Sequence, residues 1–184
     1  SRSSRRVKVY AGTEAIEQVV RGDSADVVVN ALVGYAGMMP SLAAVETGKK
    51  LALANKESLV IAGKQIIEAA DRNGAAILPV DSEHSAIFQS LVGEVSPARR
   101  LILTASGGPF LHTPKERLCE VTVEQALRHP NWSMGAKITV DSSTMVNKGF
   151  EVIEAHWLFG LPAGKIDVLV HPQSVVHLSL IHIS

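Results

Sequence analysis

Between residues 25 and 106, four apolar runs rich in β-branched residues alternate with segments of helical period, and nothing else in the sequence constrains the fold as tightly. The runs are ADVVVNAL (25–32), KKLALAN (49–55), AAILPV (75–80) and RRLILTAS (99–106). Between them lie MMPSLAAVETG, KESLVIAGKQIIEAADRNG and SEHSAIFQSLVG. In the second of these, Leu59, Ala62, Gly63, Ile66, Ile67 and Ala70 follow the i, i+3, i+4, i+7, i+8, i+11 pattern of one helix face, and Arg72-Asn73-Gly74 supplies a stop. Strands that are apolar on both sides and separated by amphipathic helices predict a parallel sheet covered on both faces. The fold class that follows is α/β, part of a Rossmann-like parallel-sheet domain.

The texture changes after residue 106. Thr113-Pro114-Lys115-Glu116 and Thr122-Val123-Glu124-Gln125 both read as capping boxes, which predicts short helices between 113 and 128. RHPNWSMGAK (128–137) reads as a polar loop carrying one large aromatic, Trp132, suited to a lid over a ligand or to plain packing. KITVDS then reads as a strand, STMVNKGFEVIEAHWLFG as a helix begun by Ser/Thr and ended by Gly, and IDVLVHP as a further strand. The expected organisation is a nucleotide-binding domain over 1–108 and an α+β catalytic domain over 109–177, with a lid loop at 128–135. The closing LSLIHIS (178–184) resembles adapter-derived sequence and is assigned no function.

Composition narrows the function. Eighteen basic and eighteen acidic residues cancel over 184 positions, with no basic run beyond the opening SRSSRR, so charge favours neither a nucleic-acid nor a membrane-surface partner. A single cysteine, Cys119, gives neither a disulfide framework nor a thiolate metal cluster, and no His pair has zinc-helix spacing. No apolar stretch reaches the ~20 residues that cross a bilayer. Asn131-Trp132-Ser133 matches a glycosylation acceptor, a weak pattern with no bearing on a cytosolic chain. No G-x-G-x-x-G is present; VGYAG lacks the spacing.

Asn30, Asn55, Asp81 and Ser106 are each the first polar residue after an apolar run, at the strand ends where open α/β sheets bind ligands. Such residues also serve simply to end strands and cap helices. Asp81 and Glu83 offer hard oxygen ligands suited to magnesium or manganese, and Glu151 offers a third carboxylate. On the last long helix Val146, Phe150, Ile153 and Trp157 read as the core stripe, while Asn147, Lys148 and Glu151 share another face. Near a helix start, Asn147 and Lys148 suit a phosphate. A helix cap for the Asp-Ser-Glu triplet and a solvated pair for Lys148 and Glu151 remain alternatives here.

Five blocks, LANKESLV, LPVDSEHSAIFQ, TASGGPF, HPNWSMGAKITVDSSTMVNKGFEVIEAHWLFG and VLVHPQSVVH, resemble in order, spacing and content the signature segments of the 1-deoxy-D-xylulose 5-phosphate reductoisomerase family, over residues 7–177. The resemblance implies conversion of 1-deoxy-D-xylulose 5-phosphate to 2-C-methyl-D-erythritol 4-phosphate with NADPH and Mg²⁺ or Mn²⁺, a step of the non-mevalonate route to isoprenoid precursors. It implies a metal on Asp81, Glu83 and Glu151, which with Lys56 form the catalytic set. It places the substrate phosphate and nearby oxygens on Ser106, Ser142, Asn147 and Lys148 with His129, and the sugar chain on Ser82 and Lys56. It assigns Asn55, Glu57, Gly135 and Met134 to the cofactor, Trp132 and Met134 to the closing loop, and His177 to the edge of the site.

The resemblance also implies a homodimer in the cytoplasm of a bacterium, with a plastid as the alternative. The family's Gly-rich NADPH loop falls before residue 1 and its carboxy-terminal helical domain after residue 177, so the stretch is expected not to turn over by itself. Two other functions stay open: a non-catalytic module binding metal and phosphosugar, and a different α/β NAD(P)-dependent dehydrogenase.

Overall fold

A computed structural model of the chain describes residues 8–12, 14–22, 24–128 and 135–173. The chain forms two compact units, residues 1–78 and 79–184. In the first, helix α1 (Ala15–Arg21) precedes strand β1 (Val27–Asn30), helix α2 (Met38–Glu46), strand β2 (Lys50–Leu53), helix α3 (Lys56–Asn73) and strand β3 (Ile77–Pro79). The strands form one sheet in the order β1-β2-β3, with β1 and β2 parallel from Val27 opposite Lys50 to Asn30 opposite Leu53. Leu51 N–H donates to the Ala76 carbonyl at 2.8 Å and ties the third strand on.

The core of this unit lies where α2 packs on α3. Ser41, Ala43, Ala44 and Val45 of α2 are fully buried, and their small side chains let the helices approach closely. Leu59, Ala62, Ile66, Ala69 and Ala70 supply the facing stripe on α3. Burying a Leu or Ile in full contributes roughly 2 kcal/mol. The helix ends at Gly74, where φ is 63° and a side chain would be strained. The α/β expectation therefore holds, and so does the α3 stripe, with Ala69 inside and Ile67 at its margin. Val29 is 68% exposed, so the described residues cover β1 on one face only.

The second unit contains helix α4 (Ser82–Leu91), strand β4 (Leu101–Ala105), a 3₁₀ turn at Lys115–Glu120, and helix α5 (Val123–Ala126). Helix α6 (Ala136–Ser143), helix α7 (Val146–Phe159) and strand β5 (Ile166–Val170) follow. Strand β4 pairs in parallel with β5, Leu101 opposite Ile166 through Ala105 opposite Val170. Leu101, Leu103, Ala155 and Ile166 form its core, flanked by Ile87, Ala98, Val152, Phe159 and Leu161. No described helix is long and apolar enough to cross a membrane.

Several expectations are corrected. The compact units divide between residues 78 and 79, and β4, before residue 108, pairs with β5 after it. For the same reason the four runs belong to two sheets, so Asn30, Asn55, Asp81 and Ser106 do not mark the edge of one. KITVDS is helical, not a strand. Helix α6 buries Thr139 and Ser143, four apart, and Lys137 pairs with Asp141 at 2.7 Å across the same interval. Six alternating residues do not by themselves exclude a helix.

The last helix begins later than read, since Ser142 and Ser143 close α6, and Met145 forms the joint with φ 64°. It is the sole non-glycine residue in that region among those described. Of the two expected capping boxes, only Thr122 with Gln125 forms. The Lys115–Glu120 turn starts from Pro114 without a side-chain cap.

Candidate metal and phosphate site

Helix α7 turns its charged residues inward. Lys148, Glu151, Glu154 and Ala155 are its buried positions, whereas Val146 and Ile153, expected in the core, are 45% and 38% exposed. Buried charges persist when they are paired and hydrogen-bonded, as Lys148 and Glu151 are. Lys148 Nζ donates to Glu83 Oε1 at 3.0 Å and to Glu151 Oε2. Asn147 Nδ2 donates to Glu151 Oε1 at 2.6 Å. The face expected to carry an amide, a cation and a carboxylate is thus assembled, but as the inner face of the helix.

Helix α4 supplies the other acids. Asp81 caps it, its carboxylate accepting from Ser82 N–H at 2.8 Å. Ser82 Oγ donates to Glu83 Oε2 at 2.6 Å. Cap and ligand geometry therefore coexist in Asp81. Burial by itself pushes the Glu83 carboxyl up, but Lys148 and hydrogen bonds from Ser82, Lys148 and the backbone outweigh it, lowering it from 4.5 to about 2. Glu83 is an anion at any physiological pH.

One oxygen each from Asp81, Glu83 and Glu151 lies within 4.8 Å of the others. In an octahedral Mg²⁺ shell, metal–oxygen bonds of about 2.1 Å put adjacent ligands roughly 3.0 Å and opposite ligands roughly 4.2 Å apart, so three oxygens in this range would hold a hard divalent cation by drawing in around it. The ammonium already seated between Glu83 and Glu151 shows the spot to be one that holds positive charge.

Ser106 follows β4, and Ser142 lies in the last turn of α6. The loop after β4 runs through Gly107 and Gly108, both with positive φ, and a Cβ on Gly108 would come within 2.7 Å of the Ser142 carbonyl. Only glycine permits that approach. It brings the TASGGPF block against the end of α6, just before Asn147 and Lys148 begin α7. Gly135 is the N-cap of α6.

In the first unit, Asn55, Lys56 and Glu57 open α3. The Asn55 amide donates to the carbonyls of Leu32 (2.6 Å) and Gly34 (3.0 Å) and to Glu57 Oε2 (3.1 Å), and its oxygen accepts from Ser58 N–H at 2.9 Å. At 2% exposure Asn55 is a structural tie for the β1–α2 loop, and Gly37 lies so close that a Cβ there would overlap it at 2.6 Å. Asn30 acts likewise, donating to Gly37 O and Ser41 Oγ at 2.7 Å each. Lys56 is buried at 7% exposure. His129, Trp132, Met134 and His177 lie outside the described residues.

Two buried polar residues went unread in the sequence. His84 and Glu154, both 0% exposed, adjoin the carboxylates, and Asp81, His84 and Glu154 also bring ligand atoms within 4.8 Å of one another. The available signal was position: His84 is one turn from Asp81, and Glu154 one turn from Glu151.

Comparison with known proteins converges on one family. A family model described as 1-deoxy-D-xylulose 5-phosphate reductoisomerase matches residues 1–63, and the model of that enzyme's C-terminal domain matches residues 77–159. The reductoisomerase of Chlorobium phaeobacteroides is 57% identical over 171 residues, spanning 92% of this chain and 44% of its own length. That of Bacteroides fragilis is 60% identical over 172 residues, spanning 93% of this chain and 44% of the relative. A crystal structure of DOX-P reductoisomerase in complex with NADPH, fosmidomycin and magnesium superposes with a TM-score of 0.83 at 46% identity, covering 90% of this chain and 43% of that one. The Zymomonas mobilis enzyme in complex with NADPH gives 0.79 at 47% identity, covering 90% and 42%. The chain thus spans somewhat under half the length of these relatives, and it belongs to the 1-deoxy-D-xylulose 5-phosphate reductoisomerase family.

Proposed function

We propose that this chain carries the metal- and phosphate-binding part of a reductoisomerase that converts 1-deoxy-D-xylulose 5-phosphate to 2-C-methyl-D-erythritol 4-phosphate with NADPH. The observation that carries the proposal is the convergence of Asp81, Glu83 and Glu151 from two helices of one unit. Relatives crystallised with magnesium and with NADPH support the choice of Mg²⁺ or Mn²⁺ and of NADPH. The bound ion supplies Lewis-acid polarisation of the substrate's carbonyl and hydroxyl oxygens while the carbon skeleton rearranges.

The remaining work falls to the chain. Asp81, Glu83 and Glu151 fix where the reacting oxygens sit. With an ion held by those carboxylates, Lys148 Nζ would serve the substrate phosphate together with Asn147, Ser106, Ser142 and His129. Binding energy gathered at that remote phosphate orients the reacting end. Ser82, Lys56 and His177 border the sugar chain. Asn55 and Glu57 at the α3 start, with Gly135 and Met134, adjoin the cofactor, which would supply the hydride. Trp132 and the 128–135 loop close over the substrate and exclude water. The complete enzyme is a cytoplasmic homodimer in this reading, with a domain boundary for cofactor and catalysis along the lines of the family.

The test replaces the corresponding segment of an intact family member with residues 8–173 and follows substrate-dependent NADPH oxidation with and without Mn²⁺. Metal-dependent turnover that Asp81→Asn removes is the expected result. A folded chimera that binds metal and phosphosugar but does not turn over would favour the binding-module reading, and turnover without a divalent ion would favour another dehydrogenase.

A further inference from the structure

His84 is fully buried, and its two ring nitrogens meet different neighbours of the Asp81, Glu83 and Glu151 carboxylates. Nε2 lies 2.8 Å from the backbone carbonyl of Glu151. A carbonyl only accepts, so Nε2 carries the proton and donates. Nδ1 points the other way, 3.4 Å from Glu154 Oε2 and 3.9 Å from Asp81 Oδ2. The ring lies parallel to Phe159, 7° between planes with centroids 6.3 Å apart. One side chain on α4 therefore grips α7 at the residue that supplies Glu151. Glu154, one turn further along α7, and Asp81, one turn back on α4, complete the arrangement.

The consequence concerns spacing. Asp81 and Glu83 come from α4 and Glu151 from α7, so the size of the cation cage depends on how the two helices are registered. A slide of one past the other would break the bond from His84 to the Glu151 carbonyl inside a dry interior. We propose that His84, backed by Glu154, is a positioning residue that fixes the separation of the three carboxylates, so that the site takes a small octahedral divalent ion in preference to a larger one. This rests on the metal-site reading above. Magnesium requires near-octahedral oxygens at about 2.1 Å, whereas calcium accepts 2.3–2.6 Å and irregular shells, so loosening the register penalises magnesium more. Partners of this kind typically change metal affinity about 10–100-fold.

The test measures Mn²⁺ binding to the chain by the loss of the free-ion EPR signal, with Mg²⁺ and Ca²⁺ as competitors. His84→Phe keeps the ring volume against Phe159 but removes both nitrogens. It is expected to weaken Mn²⁺ at least about tenfold and to erode the preference for Mg²⁺ over Ca²⁺. His84→Gln restores an N–H near the Nε2 position and is expected to recover most of the affinity and the preference. Unchanged selectivity in a folded His84→Phe protein overturns the inference, since a purely structural role would lower stability without changing which ion is chosen. If His84→Phe does not fold, Glu154→Gln is titrated in the same way, and an unaltered affinity and selectivity there overturns it equally. Wild-type binding that Asp81→Asn abolishes while His84→Phe leaves it intact overturns only this proposal; no binding by the wild type overturns the metal reading and this one together.

Discussion

Replacing Lys148 by Met removes a charge and leaves most of the stem's packing in place. The ammonium sits between Glu83 and Glu151, whose side chains are 12% and 2% exposed. Without it, two carboxylates face each other in a largely dry setting. Two routes give the cost. Removing one partner of a buried ion pair costs about 3–5 kcal/mol. Holding the Glu83 carboxyl at about 2 instead of 4.5 corresponds to about 3 kcal/mol of preference for its ionised form. For a chain of this size, ~3 kcal/mol lowers the unfolding temperature by about 6–12 °C.

Metal makes the experiment diagnostic. Lys148→Met and wild type are unfolded thermally at pH 7 in EDTA and again in excess Mg²⁺. The full deficit is expected in EDTA and less than half of it with Mg²⁺, because a divalent cation supplies the charge that the lysine did. Equal deficits in the two conditions would refute the idea that lysine and metal serve the same carboxylates. No deficit in EDTA would refute the buried pair itself.

Three further outcomes follow from the same geometry. The Glu83 carboxyl is depressed in the folded state, so its contribution is complete above pH 4.5 and lost as pH falls from there to about 2. The stability gap between wild type and Lys148→Met in EDTA should therefore narrow across that window, and a gap that stays constant down to pH 2 would contradict the stated cause. Gly108→Ala places a Cβ 2.7 Å from the Ser142 carbonyl at φ 71°, and should cost more than about 1 kcal/mol in denaturant unfolding; a neutral change would separate the Ser106 loop from α6. Asn55→Ala removes a helix cap and two buried donors to carbonyls, for roughly 2 kcal/mol by the same assay. A loss of only a few tenths would show that water replaces those bonds.

Much of this was readable in the sequence where period and spacing carry information. The β/α alternation, the α3 stripe and its Gly74 stop depend on local pattern, and they are found where the pattern puts them. Asp81 and Glu83 stood out as acidic residues directly after an apolar run, and only the resemblance joined Glu151 to them; the fold brings one oxygen of each within 4.8 Å of the others. What period could not give was direction. In α7 the apolar stripe through Val146 and Ile153 and the polar stripe through Lys148 and Glu151 are both regular, and hydrophobicity alone chose the wrong one as the inner face. The polar stripe wins because its charges are mutually satisfied by Glu83, Asn147 and each other, a long-range fact absent from any local window. KITVDS failed for a related reason: β-branched alternation over six residues was overridden by burial of Thr139 and Ser143. The pairing of β4 with β5 spans more than sixty residues, and no local window carries a signal for it. His84 and Glu154 were passed over because each, taken alone, looks like an ordinary polar residue on a helix.

The measurement that bears most directly on the central claim is a Mn²⁺ titration of the wild-type chain beside Glu151→Gln, followed by EPR at pH 7 with far-ultraviolet circular dichroism as the check on folding. The account predicts one ion bound per wild-type chain and binding lost in a folded Glu151→Gln protein. Undiminished binding in that variant would contradict it, because α4 and α7 would then not be meeting to form a single three-carboxylate site.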